Sequence, residues 1–472
     1  MAASSSSTNR LETLTIHERY VSFPARHEDE ELCARDELFN TFVEARLDFM
    51  MRQLLRSVRR ASCEAFVVVN SRGAYTRHTS AYNGTAGILV VLVRYLRAMR
   101  HHRAQLSPNN SRLDESHVIQ LLWSILNNLE GRIPSPHQHA HHLDHGAAFY
   151  FGLPGLLLTC ALAHRAIGNS RRTDELLQQL IALAPHIAHN RAVRDVNEVL
   201  YGRAGYLNCL SLVRQHFSMS SEQNARIGFA ASTIATAIVN QGRRSAVHPW
   251  PLMWHFHHKA YLGAAHGVAG ILHSLLAWSP VLDSSQRIAV ASTVDVLAHL
   301  VARPCPSSLH TSTGMPRTDR EETMHWCHGP AGHIMLFSAA LHQAHGVDND
   351  AVRRYQTVIE ALTSRLAQRG LIRKGLGLCH GVSGTCYAFL SAYRATRLKR
   401  YLRLARAFYH IATTSKQYQR AVSTYFDSQR DVQGIPDTPF SLMEGTSGEI
   451  CLLLDFLHPL ASSFPGFEFR AQ

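Results

Sequence analysis

Two short stretches far apart in the sequence each combine a thiol with an imidazole. They are Trp326-Cys327-His328-Gly329 and Gly377-Leu378-Cys379-His380-Gly381. Zinc prefers thiolate and imidazole ligands, and catalytic zinc sites have three protein ligands and an open fourth position. We therefore predict a zinc site made by Cys327, Cys379 and His380, with His328 close by but not a ligand. The alternative is two buried structural cysteines and a histidine that caps a helix.

Two other side chains are candidates for acid–base chemistry. His266 directly precedes Gly267, in the same way that His380 precedes Gly381. An imidazole with a pKa near neutral is suited to move a proton during catalysis. Glu198 lies four residues before Gly202, so we place it at the same site. A structural histidine and a carboxylate that only caps a helix are the alternatives.

A repeat places these residues at corresponding positions. Gly-x-x-Gly occurs seven times, at intervals of roughly fifty to seventy residues, and a long apolar stretch follows each instance. The instances are Gly84–Gly87, Gly152–Gly155, Gly202–Gly205, Gly267–Gly270, Gly329–Gly332, Gly381–Gly384 and Gly445–Gly448. Regular self-similarity of this kind is the signature of a repeat architecture. Cys327 and Cys379 belong to neighbouring repeats, five and six, so we expect them to converge.

The repeat pattern predicts an all-α fold. The run Ile88 to Val93 is apolar on every side, whereas Thr173 to Ala184 is amphipathic. A helix that is apolar all round must be buried all round. Two helices per repeat therefore predict an α/α toroid, a barrel of seven inner helices inside seven outer ones, with the zinc site at its mouth. The inner glycines would permit close backbone packing and leave N–H groups facing the mouth, where anions are favoured.

We predict loops where the pattern breaks. They cover 103–115, 131–145, 304–322 and 415–439. The histidine-rich stretch His137–His145 falls in one of them and follows two prolines, so we interpret it as a solvated insertion and not as a metal site. His255, His257 and His258 beside Trp254 fit either an aromatic-rich loop or substrate contacts.

Composition limits the class of protein. The nine cysteines are scattered without a signal peptide, which predicts reduced thiols in a cytoplasmic protein. Residues 1–16 read as a disordered tail and 17–472 as a single domain. The net charge of +13 comes from scattered arginines, and no nucleic-acid-binding motif accompanies it, so we expect no nucleic-acid partner. No apolar run is long enough to be a transmembrane segment, which leaves only peripheral membrane contact open.

At the level of motifs, the chain resembles the eukaryotic members of the lanthionine synthetase C-like (LanC-like) family, relatives of the bacterial lanthionine cyclases. The motifs that carry the resemblance are Glu198–Gly205, Tyr261–Gly267, Trp326–Gly329, Gly377–Gly381 and Pro436–Leu442. The resemblance covers all seven repeats, from about residue 17 to the C-terminus. It implies an (α/α)7 barrel, one zinc ion held by Cys327, Cys379 and His380, and His266 as a catalytic acid.

The resemblance also implies a reaction. Bacterial members add a peptide thiol to dehydroalanine or dehydrobutyrine, and eukaryotic members are expected to add glutathione to such residues in proteins. Lys374 matches a glutathione-contacting lysine of the family, and Arg19 aligns with an N-terminal arginine. An arginine implicated in glutathione contact is replaced by Gly434, and a carboxylate is lost in Gly152-Leu153-Pro154-Gly155. We therefore expect weaker glutathione binding.

Two other classes of function compete with this one. The first is a signalling or scaffold protein that binds glutathione without turnover. The second is a prenyltransferase-like zinc enzyme on an α/α barrel. The Cys-Cys-His ligand set speaks against the second class, because such enzymes use an Asp-Cys-His set.

Overall fold

The computed structural model describes residues 17, 19–22, 36–60, 67–69, 75–77, 79–101, 114–139, 143, 146–189, 196–317, 321–428 and 440–469. The tail predicted for 1–16, residue Gly434, the motif residues 436–439 and part of the histidine-rich stretch lie outside these ranges.

Helices dominate the described part of the chain. In chain order they are α1 (Asp36–Arg60), α2 (Thr85–His101), α3 (Glu115–Glu130), α4 (Leu153–Ala166), α5 (Ser170–Ala182), α6 (Ala184–His189), α7 (Arg203–His216), α8 (Ser221–Arg244), α9 (Val268–Ala277), α10 (Ser284–Val301), α11 (Pro330–Ala344), α12 (Asn349–Arg369), α13 (Val382–Thr396), α14 (Lys399–Thr414), α15 (Lys416–Ser428) and α16 (Thr446–Leu457). Short 3-10 turns lie at Pro136–Gln138, Ser279–Val281 and Pro459–Ala461.

Seven of these helices form a closed inner ring. Helices α2, α4, α7, α9, α11, α13 and α16 each contact the next, and α16 contacts α2. Each begins directly after the first glycine of a Gly-x-x-Gly motif. Seven outer helices pack against them, namely α1 on α16, α3 on α2, α5 on α4, α8 on α7, α10 on α9, α12 on α11 and α14 on α13. The predicted architecture of inner and outer helices is confirmed.

The apolar patterns account for which helices are inside. Every residue from Ile88 to Val93 in α2 is buried, as expected for an inner helix. In the outer helix α5, burial is confined to one face, at Thr173, Leu176, Leu177, Leu180 and Ile181. Asp283 and Gln286 form a capping box at the start of α10, with the Gln286 N–H donating to Asp283 over 2.8 Å.

The second glycine of each motif permits a close approach of backbone. A methyl group at that position would overlap the carbonyl oxygen of the residue six positions earlier. Those carbonyls belong to Ala81, Phe149, Val199, Ala264, Trp326, Leu378 and Leu442. The loop before each inner helix therefore folds back across the first helical turn, and only glycine leaves room for it.

Within the described ranges, three short antiparallel pairs of strands supplement the helices. They are β1 (Tyr20–Val21) with β6 (Leu371–Ile372), β2 (Val67–Val69) with β3 (Tyr75–Arg77), and β4 (Ala260–Tyr261) with β5 (Ser308–Leu309). The first pair matters for the site, because it fixes the N-terminal segment against the loop that leads into α13.

One loop prediction is wrong. Residues 416–428, within the stretch expected to be a loop, form α15. Tyr418 and Ala421 are buried, and the Tyr418 hydroxyl donates to the carbonyl oxygen of Ile372 over 2.6 Å. The helix thus packs beside β6. Its apolar residues are few, which is why the polar composition hid the pattern.

The C-terminal segment fills the middle of the ring. Phe464 stacks on Trp326 with ring centroids 4.8 Å apart, and Phe467 stacks on His273 at 4.3 Å. The Tyr150 hydroxyl donates to the carbonyl oxygen of Pro465 over 2.6 Å. Residues 464–467 are therefore part of the core, and Trp326 connects them to Cys327. None of the described helices is long and apolar enough to cross a membrane.

Candidate active site

Backbone hydrogen bonds link the seven loops that precede the inner helices. Each loop donates an N–H to the carbonyl oxygen of the next loop, and the series returns to its start. The bonds run from Ala265 to Cys327 (3.2 Å), Cys327 to Cys379 (3.4 Å), Cys379 to Met443 (2.9 Å), Met443 to Tyr82 (3.0 Å), Tyr82 to Tyr150 (3.2 Å), Phe151 to Leu200 (3.1 Å) and Val199 to Ala265 (3.1 Å). We call this end of the ring the mouth. The linked backbone holds side chains from distant repeats at fixed positions.

The residue directly before each first glycine is partly exposed at the mouth. These seven residues, which we call the rim, are Asn83, Phe151, Tyr201, His266, His328, His380 and Glu444. The residue one position earlier is buried in every repeat: Tyr82, Tyr150, Leu200, Ala265, Cys327, Cys379 and Met443. Repeats two and three thus give the rim aromatic rings, and repeats four to six give it imidazoles.

The predicted metal ligands lie together below the rim. Cys327 and Cys379 are 6% and 4% exposed. The Cys379 side chain shares hydrogen bonds with those of Cys327 and His380. The bond to Cys327, followed by burial, raises the pKa of the Cys379 thiol well above its usual range. Burial lowers the pKa of His380, but the hydrogen bond to Cys379 and the charges of Cys379 and Glu444 together outweigh it, so this pKa is raised.

The donor chemistry of this cluster suits zinc, since it combines two thiols with one imidazole. In the arrangement of the described residues, however, no group of three or more His, Cys, Asp or Glu side chains is placed so as to hold a metal ion. The three groups contact one another in pairs through Cys379.

His266 and Glu198 form a hydrogen-bonded pair at the same mouth. His266 Nδ1 lies 2.8 Å from Glu198 Oε2, and the two side chains are 20% and 2% exposed. The carboxylate also accepts the N–H groups of Leu200 (2.9 Å) and Tyr201 (2.6 Å). Glu198 therefore caps the loop and orients His266 at once. His328, which follows Cys327 in the sequence, lies close to this pair: its ring centroid is 6.0 Å from that of His266.

Lys374 and Arg19 line one cavity of about 930 Å³ beside the cluster. Strand pairing of Tyr20 with Ile372 brings Arg19 there. Arg19 also lies 3.5 Å from Glu321, with both side chains more than half exposed. His325 lines the same cavity, and its ring centroid is 6.0 Å from that of His380. The lining also includes Arg369, Glu321 and Glu322, so cations and carboxylates both face this cavity.

Burial keeps two further imidazoles at the mouth neutral. Burial, followed by the charges of Lys374 and His380, holds the pKa of His325 well below its ordinary value. Burial and the charge of His266 lower the pKa of His328 to about 4. Both rings are hydrogen-bonding groups without charge at neutral pH.

Two residues of the site were not predicted from the sequence. The Tyr82 side chain hydrogen-bonds to Cys379, and His325 lines the cavity. Both could have been found from the repeat. Tyr82 stands two residues before its first glycine, as Cys327 does, and His325 stands four residues before, as Glu198 does.

In the histidine-rich stretch, His137 is exposed, whereas His139 is buried 3.0 Å from the carbonyl oxygen of Pro134.

Comparisons with known proteins agree with the fold. The profile of the lanthionine synthetase C-like proteins matches residues 75–469. The chain is 32% identical to glutathione S-transferase LANCL1 of Danio rerio over 326 residues, which are 68% of this chain and 73% of that protein. Its structure is similar to that of nisin cyclase, with a TM-score of 0.54, 15% identity, and coverage of 86% of this chain and 92% of that one.

Proposed function

This chain belongs to the lanthionine synthetase C-like family, and on that premise we propose that it adds a thiol, glutathione in the first place, to dehydroalanine or dehydrobutyrine residues of proteins or peptides. The observation that carries the proposal is the hydrogen-bonded pair His266–Glu198 at the same mouth as Cys327, Cys379 and His380. The name of the Danio rerio relative, a glutathione S-transferase, supports the choice of thiol.

We propose that Cys327, Cys379 and His380 hold one zinc ion. The donor set supports this, because the two thiols and the imidazole, which contact one another through Cys379, are ligand types that zinc prefers. A thiol has an ordinary pKa near 8.5, and bound zinc would supply it as a thiolate at neutral pH.

His266 donates the proton that completes the addition. Addition joins the sulfur to the β-carbon, breaks the carbon–carbon double bond and places negative charge on the adjoining carbonyl oxygen. His266 then gives a proton to the α-carbon, and the proton lost by the thiol balances it. The contact of Nδ1 with Glu198 leaves Nε2 as the nitrogen that exchanges the proton with the substrate. Glu198 is a positioning residue, because two backbone N–H groups hold its carboxylate in place.

The cavity beside the cluster would receive the thiol substrate. Glutathione carries two carboxylates, and Lys374 and Arg19 offer two cations along the cavity wall. Charge-assisted hydrogen bonds of this kind are among the stronger ones in proteins. The cavity wall includes His325, whose ring lies 6.0 Å from that of His380, so a ligand held there by its carboxylates would have its sulfur near the cluster.

Mass spectrometry and metal analysis test the proposal together. Purified protein is incubated with glutathione and a dehydroalanine peptide, and the adduct of their summed mass is measured. We expect adduct formation, one zinc per chain, and loss of both on Cys379→Ala. Full zinc content in Cys379→Ala would contradict the ligand assignment. Glutathione binding without any adduct would favour the alternative of a non-catalytic, glutathione-binding scaffold.

A further inference from the structure

Aromatic rings form a continuous row on one side of His266. The rim residues Phe151 and Tyr201 stack with centroids 4.5 Å apart and planes 7° apart. Phe256, from the loop before β4, stacks on His266 at 4.5 Å and 3°. Tyr201 lies 6.3 Å from Phe256 and 6.4 Å from His266, with planes within 10° in both cases. All four side chains are partly exposed, so the row is an apolar surface that ends at the proposed proton donor.

The loop that carries Phe256 is held in a costly conformation. Phe256 and Lys259 exchange backbone hydrogen bonds of 2.9 and 3.1 Å across a two-residue turn. The residues of the turn, His257 and His258, have φ values of 46° and 60°, which non-glycine residues rarely adopt. Such conformations persist where the surrounding structure fixes them, and they concentrate at functional sites. Phe256 is therefore presented to His266 by a rigid turn.

The two sides of the mouth differ in chemistry. The cavity beside repeats five and six is lined by Arg19, Arg369 and Lys374, which suit an anionic thiol, and also by Glu321 and Glu322. Repeats two and three have no acidic residue on the rim, because Phe151 and Tyr201 occupy the rim positions. The two residues that follow the first glycine of repeat two, Leu153 and Pro154, are apolar as well. The thiol can thus approach from the side of the cavity. The apolar side, next to His266, is left for the electrophile, the dehydroamino acid.

We propose that the row Phe151–Tyr201–Phe256 binds the peptide that carries the dehydroamino acid and selects peptides with an aromatic or large apolar residue next to it. This inference rests on the proposed function for its substrate class. Flat partly exposed rings bind apolar and aromatic side chains through area and stacking, whereas an acidic neighbour would lose its hydration there without gaining a cation.

The test uses three peptides with the same dehydroalanine core, flanked on both sides by Phe, Ser or Asp. For the wild-type protein we expect kcat/KM to be about tenfold higher for the Phe peptide than for the Ser peptide, and lowest for the Asp peptide. Tyr201→Ala and Phe256→Ala should remove this preference chiefly through KM. Tyr201→Leu keeps apolar bulk and should retain part of it. Phe229→Ala removes a ring that is 75% exposed on the outer helix α8 and should change nothing.

Peptides with alanine in place of dehydroalanine separate binding from chemistry. Titration calorimetry should show the same order of affinities, and Tyr201→Ala should weaken the Phe peptide about tenfold. If no peptide is modified but this order holds, the proposed reaction is wrong and the peptide-binding row stands. If all three peptides react and bind equally well, the reaction stands and the row is not a specificity surface. Thermal unfolding of each variant confirms that it is folded.

Discussion

The residue directly before each first glycine decides what each repeat contributes to the rim. The backbone at that position is equivalent in all seven repeats, yet the side chains range from Phe151 to His266 and Glu444. Function in such a fold depends on side chains placed on a common scaffold. One substitution at a rim position can therefore change the chemistry without changing the fold.

Changes to the His266–Glu198 pair should separate proton transfer from metal binding. We expect His266→Ala to lower kcat about 10²- to 10⁴-fold, the usual contribution of general acid–base catalysis, with zinc content and thermal stability near wild type. Glu198→Gln should lower kcat less, because the amide oxygen still accepts a backbone N–H but the oriented carboxylate is lost. Steady-state kinetics with metal analysis checks both. A His266→Ala variant within a few-fold of wild type would show that another group delivers the proton.

Lys374 should contribute more than Arg19 to the binding of glutathione. Arg19 is shared with Glu321 and its side chain is 56% exposed, so solvent weakens its contribution. We expect Lys374→Gln to raise the KM for glutathione about tenfold, as for the loss of one charge-assisted hydrogen bond, with kcat nearly unchanged. Arg19→Gln should raise it less. Lys399→Gln, at an exposed position of α14, is the charge-matched control. Equal KM values for Lys374→Gln and the control would remove Lys374 from the thiol site.

At the scale of elements, the loop and the helix that follows it form one unit. The backbone bonds between neighbouring loops pass through residues two positions before each first glycine, Cys327 and Cys379 among them. The thiols converge because their loops are tied to each other and the second glycines let each loop cross its helix. The cysteine cluster and the repeat thus depend on the same close packing.

A pair of glycine substitutions tests this dependence. In Gly270→Ala the new methyl would overlap the Ala264 carbonyl and lie 2.8 Å from Val199 Cγ2. We expect the free energy of unfolding to fall by about 3 kcal/mol or more, as for severe overpacking. Gly228, within α8, has no atom within 4 Å of the position of such a methyl. Gly228→Ala should therefore raise the free energy of unfolding by about 0.5–1 kcal/mol. Denaturant unfolding measures both, and similar values for the two variants would contradict the packing argument.

The sequence predicted the elements where the glycine repeat and the apolar pattern agree. The inner helices and the convergence of Cys327 with Cys379 follow from the spacing of the repeat. Other features depend on packing that no local pattern reveals. Helix α15 has a mostly polar surface and is fixed by Tyr418 against β6. Arg19 reaches the cavity only through a two-residue strand pair with Leu371 and Ile372.

At the scale of the whole molecule, the C-terminal segment completes the interior of the ring. Phe464 and Phe467 lie against Trp326 and His273, so the last described residues contact inner helices and loops from several repeats. The interior of the ring is therefore held together by contacts between the C-terminal segment and earlier repeats. Its stability should respond to any charge that forms in this interior.

His273 is a titratable group in this interior, and the folded protein disfavours its charged form. Burial, followed by the charge of Arg394, lowers its pKa from the ordinary 6.5 to about 3. Between these values the unfolded chain binds a proton that the folded protein does not, so stability rises with pH across this window and is lost as the pH falls below 6.5. At pH 5 this one group should cost about 2 kcal/mol relative to pH 7. His273→Phe keeps a ring against Phe467 and removes the titration.

We therefore expect the loss of unfolding free energy between pH 7 and pH 5 to be about 2 kcal/mol smaller in His273→Phe than in wild type. Denaturant unfolding at both pH values measures it. His186→Phe, at an exposed position of α6, is the matched control and should show the pH dependence of wild type, because its side chain lies outside the buried interior. An unchanged pH dependence in His273→Phe would mean that the acid sensitivity of the ring arises elsewhere, with the buried His333 and the partly exposed His325 and His328 as the next groups to replace.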